Sequence, residues 1–218
     1  MAWQLLDPLS PSERAALVGL ARARSFERNE VVCHAGDPAD SLHLVDSGHL
    51  AVRGALATGH TATFRVLSAG EYFGELALLR EDRRRTATVV ALEPSRTLAI
   101  AAPVFNRFLE DNPQLGRALA TLLADRIDRL SNRLLETMYL SLDRRVYRRL
   151  LDLAAAYGVA DNTARIPLSQ SSLADLVGAT RPSVNQVLGR LVSQHLIAVS
   201  RGRIELLDVS ALTRRAAD

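Results

Sequence analysis

Hydrophobic and polar positions follow different periods in different parts of the chain. Between residues 26 and 102, short apolar runs are separated by turn pairs such as Gly36-Asp37 and Ser47-Gly48, a pattern typical of short strands. The predicted strands are residues 31–33, 42–45, 49–53, 61–67, 87–91 and 97–100. A short helix is predicted before them, near residues 11–23. Regular short strands joined by turns predict a β-barrel or sandwich.

A helical period replaces the strand pattern from about residue 112 to residue 140. No glycine or proline follows Gly116 in this segment, and Asp111 with Pro113 forms a helix start signal. The apolar residues recur in steps of four and three at Leu119, Leu123, Ile127, Leu130, Leu134 and Met138. Part of this seam could cover the predicted barrel. Its length and spacing favour a partner helix, so we expect a homodimer.

The helical pattern is interrupted at residues 141–143. Asp143 is expected to cap a new helix over residues 144–157, which Gly158 ends. The interruption predicts a hinge between an N-terminal and a C-terminal domain.

Two short helices and a hairpin are predicted after the hinge. Ser169 is expected to cap a helix that runs to about residue 177, and Thr180 to cap a second helix over residues 181–194. Gly178 lies in the three-residue turn between them. Residues 197–207 read as a two-stranded hairpin around Arg201-Gly202. This arrangement predicts a winged helix-turn-helix.

The predicted second helix carries hydrogen-bonding side chains on its outer face, which suits base edges and phosphates. Residues 144–218 carry 11 arginines against six acidic residues, whereas residues 1–143 carry 16 against 18. A plain helical scaffold is the alternative, but the hairpin, the basic charge and the polar face favour binding to double-stranded DNA. The candidate DNA-contacting residues are Ser169, Gln170, Ser171, Thr180, Arg181, Ser183, Asn185, Gln186 and Arg190.

The segment YFGELALLREDRRRTATVV, residues 72–90, combines a glycine, a carboxylate and an arginine followed by a hydroxyl. Gly74 leaves room for close backbone approach, and the helical turn after it would present amides to an anion. Arg85, ten residues after Glu75, and Thr86 would bind the same anion. Glu75 would be repelled by it, so we expect a neutral partner such as a sugar hydroxyl. The amides facing the anion would belong to Glu75, Leu76 and Ala77.

A turn with solvated charges is the alternative for this segment, because Arg83, Arg84 and Arg85 form a run. The spacing of glycine, carboxylate, arginine and hydroxyl favours a binding site. The ligand that it predicts is a nucleotide whose sugar and phosphate lie close together.

Composition limits the remaining function classes. The 218 residues, 48% hydrophobic and 23% charged, are typical of one large or two ordinary globular domains. No apolar run approaches the ~20 residues of a membrane span, and the N-terminus lacks a signal-peptide pattern, so we expect a cytoplasmic protein without a membrane partner. Cys33 is the single cysteine, and the five histidines lack ligand spacing. No nucleophile has a matched base. We therefore expect neither a metal site nor an enzyme.

The order of these motifs resembles the cyclic-AMP receptor protein/FNR superfamily over nearly the whole chain. FGELALL followed by RRTATV is similar to the phosphate-binding cassette of cyclic nucleotide-binding domains, and residues 168–197 are similar to the family's helix-turn-helix. The resemblance implies an α+β fold. It would comprise a cyclic nucleotide-binding-like jelly-roll over residues 1–110, a dimerisation helix over 111–141 and a winged helix-turn-helix over 142–218.

The resemblance also implies roles for individual residues. Glu75 would hold the ribose hydroxyl and Arg85 the cyclic phosphate. The family's Thr-Ser pair on the long helix, which approaches the purine, corresponds to Leu130 and Ser131. Ser131 keeps the serine that reaches the partner subunit, whereas Leu130 lacks the hydroxyl that would meet adenine. The phosphate cradle would be completed by Gly74, Leu76, Ala77 and Thr86.

The implied function is a homodimeric transcription regulator controlled by cyclic AMP, with cyclic GMP as the other candidate effector. Arg181 keeps the arginine that contacts guanine, whereas Pro182 replaces the family's glutamate, so we expect a palindromic operator that shares a guanine with the family's usual site. RNA polymerase would be a further partner. The alternatives are a regulator of the same fold with another effector or none, and a nucleotide sensor that binds protein instead of DNA.

Overall fold

The computed structural model describes residues 3–55 and 61–217. The chain divides into two compact units. Unit 1 comprises Met1–Gly54 and Arg65–Leu130, and unit 2 comprises Ala55–Phe64 and Ser131–Asp218.

Two four-stranded sheets form the β-structure that the strand pattern predicts. The first sheet has the order β1 (Arg22–Phe26), β8 (Ser95–Ala101), β3 (Ser41–Ser47), β6 (Tyr72–Phe73). The second has the order β2 (Val31–Cys33), β7 (Thr88–Ala91), β4 (Leu50–Ala55), β5 (Thr61–Leu67). Antiparallel pairing joins β1–β8, β3–β8, β3–β6, β2–β7 and β4–β7.

All six strands predicted between residues 26 and 102 are present, and two further strands of these two sheets, β1 and β6, were not predicted. Strand β1 escaped prediction because four of its five residues are exposed and only Phe26 is buried. Strand β6 has two residues, too few to show a period. The predicted N-terminal helix is shorter than expected: α1 spans Pro11–Gly19, and Ala23 lies in β1.

Strand β3 separates two apolar clusters, since successive side chains of a strand point to opposite faces. Leu42 and Leu44 pack in one cluster with residues of α1 and of the helices that follow β8. Val45, on the opposite face of β3, packs in the other cluster with Phe73 and Val89. His43 lies on the same face as Val45 and is 1% exposed. This polar side chain is therefore placed inside unit 1, close to the predicted cassette.

The long helix α4 spans Pro113–Tyr139, as the apolar period predicts. Another helix, α3 (Ala102–Asp111), precedes it, so Asp111 ends α3 instead of starting α4 as expected. The seam divides along its length: Leu119 is buried in unit 1, whereas Ile127 is 63% and Met138 62% exposed in the single chain. The N-terminal part therefore covers the core and the C-terminal part does not. In the described part of the chain, no helix combines the length and apolar character needed to cross a bilayer.

The C-terminal part of unit 2 is the predicted winged helix-turn-helix with additional elements. The helix that follows α4 is capped by Ser141, whose Oγ accepts from the amide of Arg144, and not by Asp143 as expected. Ser169 and Thr180 cap the two helices of the motif as predicted. The elements are α5 (Leu142–Tyr157), β9 (Val159–Ala160), β10 (Thr163–Ile166), α6 (Gln170–Val177), α7 (Arg181–Ser193), β11 (Ile197–Ser200), β12 (Arg203–Leu206) and α8 (Val209–Ala217). Strands β9 and β10 extend the wing to a four-stranded sheet of order β11-β12-β10-β9.

Candidate functional site

Gly74 connects β6 to the short helix α2 (Glu75–Leu78) in a conformation that requires glycine. Its φ is +94°, in the left-handed region. A Cβ on this residue would lie 2.2 Å from Nη1 of Arg85 and 2.9 Å from the carbonyl oxygen of Ser41. The backbone angle and the close approach of Arg85 therefore both exclude a side chain here.

The guanidinium of Arg85 is buried against this turn, with its residue 6% exposed. Its Nη2 donates to Oγ of Ser41 at 3.3 Å and to Oδ1 of Asp40 at 3.4 Å. Its Nη1 is buried and has no hydrogen-bond partner among the described residues. A buried cationic donor without an acceptor is costly, and an anion beside Nη1 would remove that cost.

Glu75, in the first turn of α2, is 1% exposed and pairs with an arginine of the long helix. Nη1 of Arg126 donates to its Oε1 at 2.8 Å. The sequence did not predict this ion pair. Its physical reason is burial, because a carboxylate removed from water needs a compensating charge.

These side chains line one cavity of unit 1. Six of the eight predicted nucleotide-binding residues line it, namely Gly74, Glu75, Leu76, Ala77, Arg85 and Thr86. The other two, Leu130 and Ser131, are exposed on α4. The cavity-lining residues that the sequence did not predict are Cys33, Val52, Arg65, Leu67, Tyr72, Phe73, Ala87, Val89 and Arg126.

The charge of the cavity suits an anionic ligand. Three arginines, Arg65, Arg85 and Arg126, line it against the single carboxylate of Glu75. Burial, followed by the nearby Glu75, raises the pKa of Tyr72 to about 12. Burial also raises the pKa of the Cys33 thiol. Both groups are therefore neutral at pH 7. Each of the three arginines also pairs with a carboxylate.

The predicted DNA-contacting residues lie at the N-cap of α6, on α6, on α7 and in the turn between the two helices. The apolar side of α7 is buried, with Val184 and Leu191 completely enclosed. Arg181 and Gln186 are exposed, and Ser183 and Asn185 are half-buried. On α6, Ser171 is exposed and Gln170 is half-buried.

Four of the predicted contact residues have side-chain partners within the protein. Oγ of Ser169 accepts from the amide of Ser172 at 3.1 Å, and Oγ1 of Thr180 accepts from the amide of Ser183 at 3.4 Å. Oγ of Ser183 also lies 2.8 Å from Oγ1 of Thr180. Arg190 pairs with Asp143 at 2.5 Å. The first two residues build the motif, and Arg190 would have to leave Asp143 to reach a phosphate.

Comparisons with known proteins agree with both parts of the chain. Residues 23–112 match the cyclic nucleotide-binding domain and residues 144–215 match the Crp-like helix-turn-helix domain. The HTH-type transcriptional regulator Cmr of Mycobacterium tuberculosis is 31% identical over 212 residues, covering 96% of this chain and 82% of that protein. A CRP-like cAMP-activated global transcriptional regulator of the same species is 27% identical over 215 residues, covering 97% and 96%.

A solved structure shows the same fold. The crystal structure of a CRP-family transcriptional regulator from Thermus thermophilus superposes with a TM-score of 0.76 at 27% identity, covering 89% of this chain and 97% of that one. Domain matches, relatives and structure point to one assignment. The chain belongs to the CRP/FNR family of DNA-binding transcription regulators with a cyclic nucleotide-binding domain.

Proposed function

We propose that the protein is a homodimeric transcription regulator whose affinity for DNA is controlled by cyclic AMP bound in the cavity of unit 1. The observation that carries the proposal is the buried Nη1 of Arg85 at the cavity wall, which has no hydrogen-bond partner within residues 3–55 and 61–217. In this proposal residues 1–110 are the sensor domain, residues 111–141 the dimerisation helix and residues 142–218 the DNA-binding domain. The protein works in the cytoplasm and has no catalytic role.

The phosphate of the nucleotide would lie between Arg85 and the start of α2. Nη1 of Arg85 and the amides that follow Gly74 are donors, and an anion accepts from both. The bond from Arg126 uses Oε1 of Glu75, and a carboxylate has several acceptor positions. Glu75 can therefore accept a ribose hydroxyl while Arg126 continues to balance its charge.

The relatives support cyclic AMP as the effector, whereas one residue of this chain, Leu130, does not. The mycobacterial regulator that is 27% identical is described as cAMP-activated. Leu130 offers no hydroxyl to the purine, however, so cyclic GMP is the second candidate. In the dimer, Ser131 would meet the ligand bound in the other subunit.

The exposed part of the α4 seam supports the dimer. Ile127, Leu130, Leu134 and Met138 are each at least 48% exposed in the single chain and are spaced for helix pairing. Exposed apolar stripes of this kind mark protein interfaces. A second copy of α4 would bury them. RNA polymerase is a further proposed partner.

The DNA-binding part would place α7 in the major groove. Arg181, at the start of α7, is exposed and can donate two N–H groups of its guanidinium to O6 and N7 of guanine. Two copies of α7 read a palindromic operator with half-sites about one helical turn apart. The ligand acts by binding one arrangement of the dimer more tightly than the other.

Isothermal titration of the purified full chain, freed of co-purified ligand, with cyclic AMP and with cyclic GMP tests the effector. We expect one nucleotide-binding site per chain and no binding in Arg85→Ala. The control variant Arg84→Ala should bind like the wild type, because Arg84 is exposed. The absence of heat with either nucleotide would leave a regulator with another effector or none. Duplex binding that weakens steeply with salt supports a DNA partner, and no duplex binding would favour a protein partner.

A further inference from the structure

A buried chain of hydrogen bonds runs from β8 through β3 to the guanidinium of Arg85. Oγ1 of Thr97 lies 3.0 Å from Nδ1 of His43, and Nε2 of His43 lies 3.1 Å from Oγ of Ser41. The same Oγ is 3.3 Å from Nη2 of Arg85 and 2.8 Å from Oδ1 of Asp40. Thr97, His43 and Ser41 do not line the cavity, so they act on a ligand only through Arg85.

The donors and acceptors of this chain allow one arrangement of protons. Asp40 is a carboxylate and can only accept, so the single hydroxyl proton of Ser41 is donated to it. The hydrogen bond from Ser41 is the largest of the effects that lower the pKa of Asp40. The lowered pKa means that Asp40 is ionised. Both lone pairs of Ser41 Oγ then accept, one from Arg85 and one from His43. His43 therefore carries its proton on Nε2, and its Nδ1 accepts from the hydroxyl of Thr97.

The surroundings of His43 keep the imidazole neutral. Burial lowers its pKa to about 3, and the positive charges of Arg85 and Arg24 act in the same direction, while Asp40 opposes them. The ring of Phe73 stacks on the imidazole with centroids 4.7 Å apart and planes 14° apart. A neutral ring with one N–H can donate on one side and accept on the other, as this chain requires.

We propose that His43 and Thr97 are positioning residues for the anion site, because they fix Ser41 so that it holds Arg85 by Nη2 and leaves Nη1 at the cavity. The effect on ligand affinity rests on the proposed function, whereas the position of Arg85 does not. Without the hydroxyl of Thr97, the buried Nδ1 loses its donor, and the imidazole is no longer held from both sides. The ring that donates to Ser41 can then shift, and the guanidinium loses its fixed orientation.

Thr97→Val and Thr97→Ser of the full chain form the matched pair of variants. Valine has nearly the shape of threonine without the hydroxyl, and serine keeps the hydroxyl. In nitrogen-15 NMR of the ligand-free protein we expect His43 to show the Nε2–H tautomer in the wild type and in both variants, with the Nδ1 signal displaced in Thr97→Val and unchanged in Thr97→Ser. His43→Gln identifies the signal among the five histidines. In calorimetry with cyclic AMP we expect Thr97→Val to bind about three- to tenfold more weakly and Thr97→Ser within about twofold.

The outcomes separate this proposal from the proposed function. If the wild type binds cyclic AMP and both Thr97 variants bind it equally well, the positioning role is wrong and the cyclic nucleotide site stands. If the wild type binds no cyclic nucleotide, the NMR signal of the Arg85 guanidinium in the ligand-free protein tests the positioning role instead. A signal that shifts in Thr97→Val and stays in place in Thr97→Ser supports the positioning role, and an unmoved signal in both overturns it. Should Thr97→Val fail to fold, Ser41→Ala removes the last link before Arg85, and the same readouts apply.

Discussion

Arg126 of the long helix donates from Nη1 to Oε1 of Glu75 at 2.8 Å, which joins α4 to the first turn of α2 inside unit 1. The side chain of Glu75 is 2% exposed and that of Arg126 is 25% exposed. The carboxylate is therefore deprived of water and depends on the guanidinium, while the guanidinium keeps part of its hydration.

Arg126→Met should destabilise the protein because it leaves a buried carboxylate uncompensated. Breaking a buried ion pair costs about 3–5 kcal/mol. Since Arg126 is partly exposed, we expect about 2–3 kcal/mol in urea unfolding. Arg129→Met, on an exposed position of the same helix, should change stability by less than about 0.5 kcal/mol. The double variant Glu75→Gln/Arg126→Met should recover much of the loss, and a double variant no more stable than the single one would contradict this reasoning.

Gly74→Ala should damage both stability and ligand binding. The left-handed backbone angle and the approach of Arg85 to within 2.2 Å of the new Cβ make the substitution unfavourable, with an expected cost of about 1–3 kcal/mol. Gly116→Ala is the control, because Gly116 is inside α4 with nothing within 4 Å of its Cβ position. Thermal unfolding should show that variant to be more stable by about 0.5–1 kcal/mol. An equal change in the free energy of unfolding in the two variants would disprove the assigned role of Gly74.

Cyclic AMP should protect Cys33 from alkylation. Cys33 is the single cysteine and lines the cavity, so one modification reports on one place. Burial raises the pKa of its thiol, and the reaction with iodoacetamide should already be slow in the ligand-free protein. Mass spectrometry should show a further slowing at saturating nucleotide in the wild type but not in Arg85→Ala. An unchanged rate in the wild type, at a concentration where binding is proved by calorimetry, would place the ligand elsewhere.

Acidification should weaken the folded state through His43. Above about pH 6.5, its ordinary pKa, the imidazole is neutral in the folded and unfolded chains and contributes no pH dependence. Between pH 6.5 and its folded pKa of about 3, the unfolded chain binds a proton that the folded chain does not. The free energy of unfolding therefore falls with decreasing pH, by at most about 1.4 kcal/mol per unit from this group. Urea titrations at several pH values give the free energy of unfolding as a function of pH, and we expect it to change less steeply with pH in His43→Gln than in the wild type. An equal pH dependence in both proteins would mean that His43 is protonated in the folded state.

Local signals were sufficient for much of the fold. Ser169 and Thr180 are followed by apolar residues at helical spacing, so each cap and each helix could be predicted from a few neighbouring positions. Gly74 likewise predicted a close approach to the backbone, and Arg85 lies against it. At the hinge, two nearby residue types can both cap a helix, and the structure uses Ser141 where Asp143 was expected. The sequence offers no means of ranking two good caps two positions apart.

Contacts between distant segments could not be predicted. Arg126 lies 51 residues from Glu75, and their pairing depends on how α4 packs in unit 1. The buried charge of Glu75 was the one available signal, because a carboxylate in a core implies a cation nearby. The apolar period of α4 also could not show where the covered part ends, since Leu123 and Ile127 are equivalent positions of one seam. The core of unit 1 determines that only the first of them is covered.

The most direct test of ligand control is the DNA affinity of the full chain with and without cyclic AMP. A duplex selected from random sequences by the purified protein, labelled with a fluorophore and titrated at fixed salt, gives both dissociation constants by anisotropy. We predict at least a roughly tenfold tighter complex at saturating cyclic AMP, a palindromic selected site, and no response in Arg85→Ala. Equal affinities with and without the nucleotide, for a wild-type protein that binds it in calorimetry, would contradict the account.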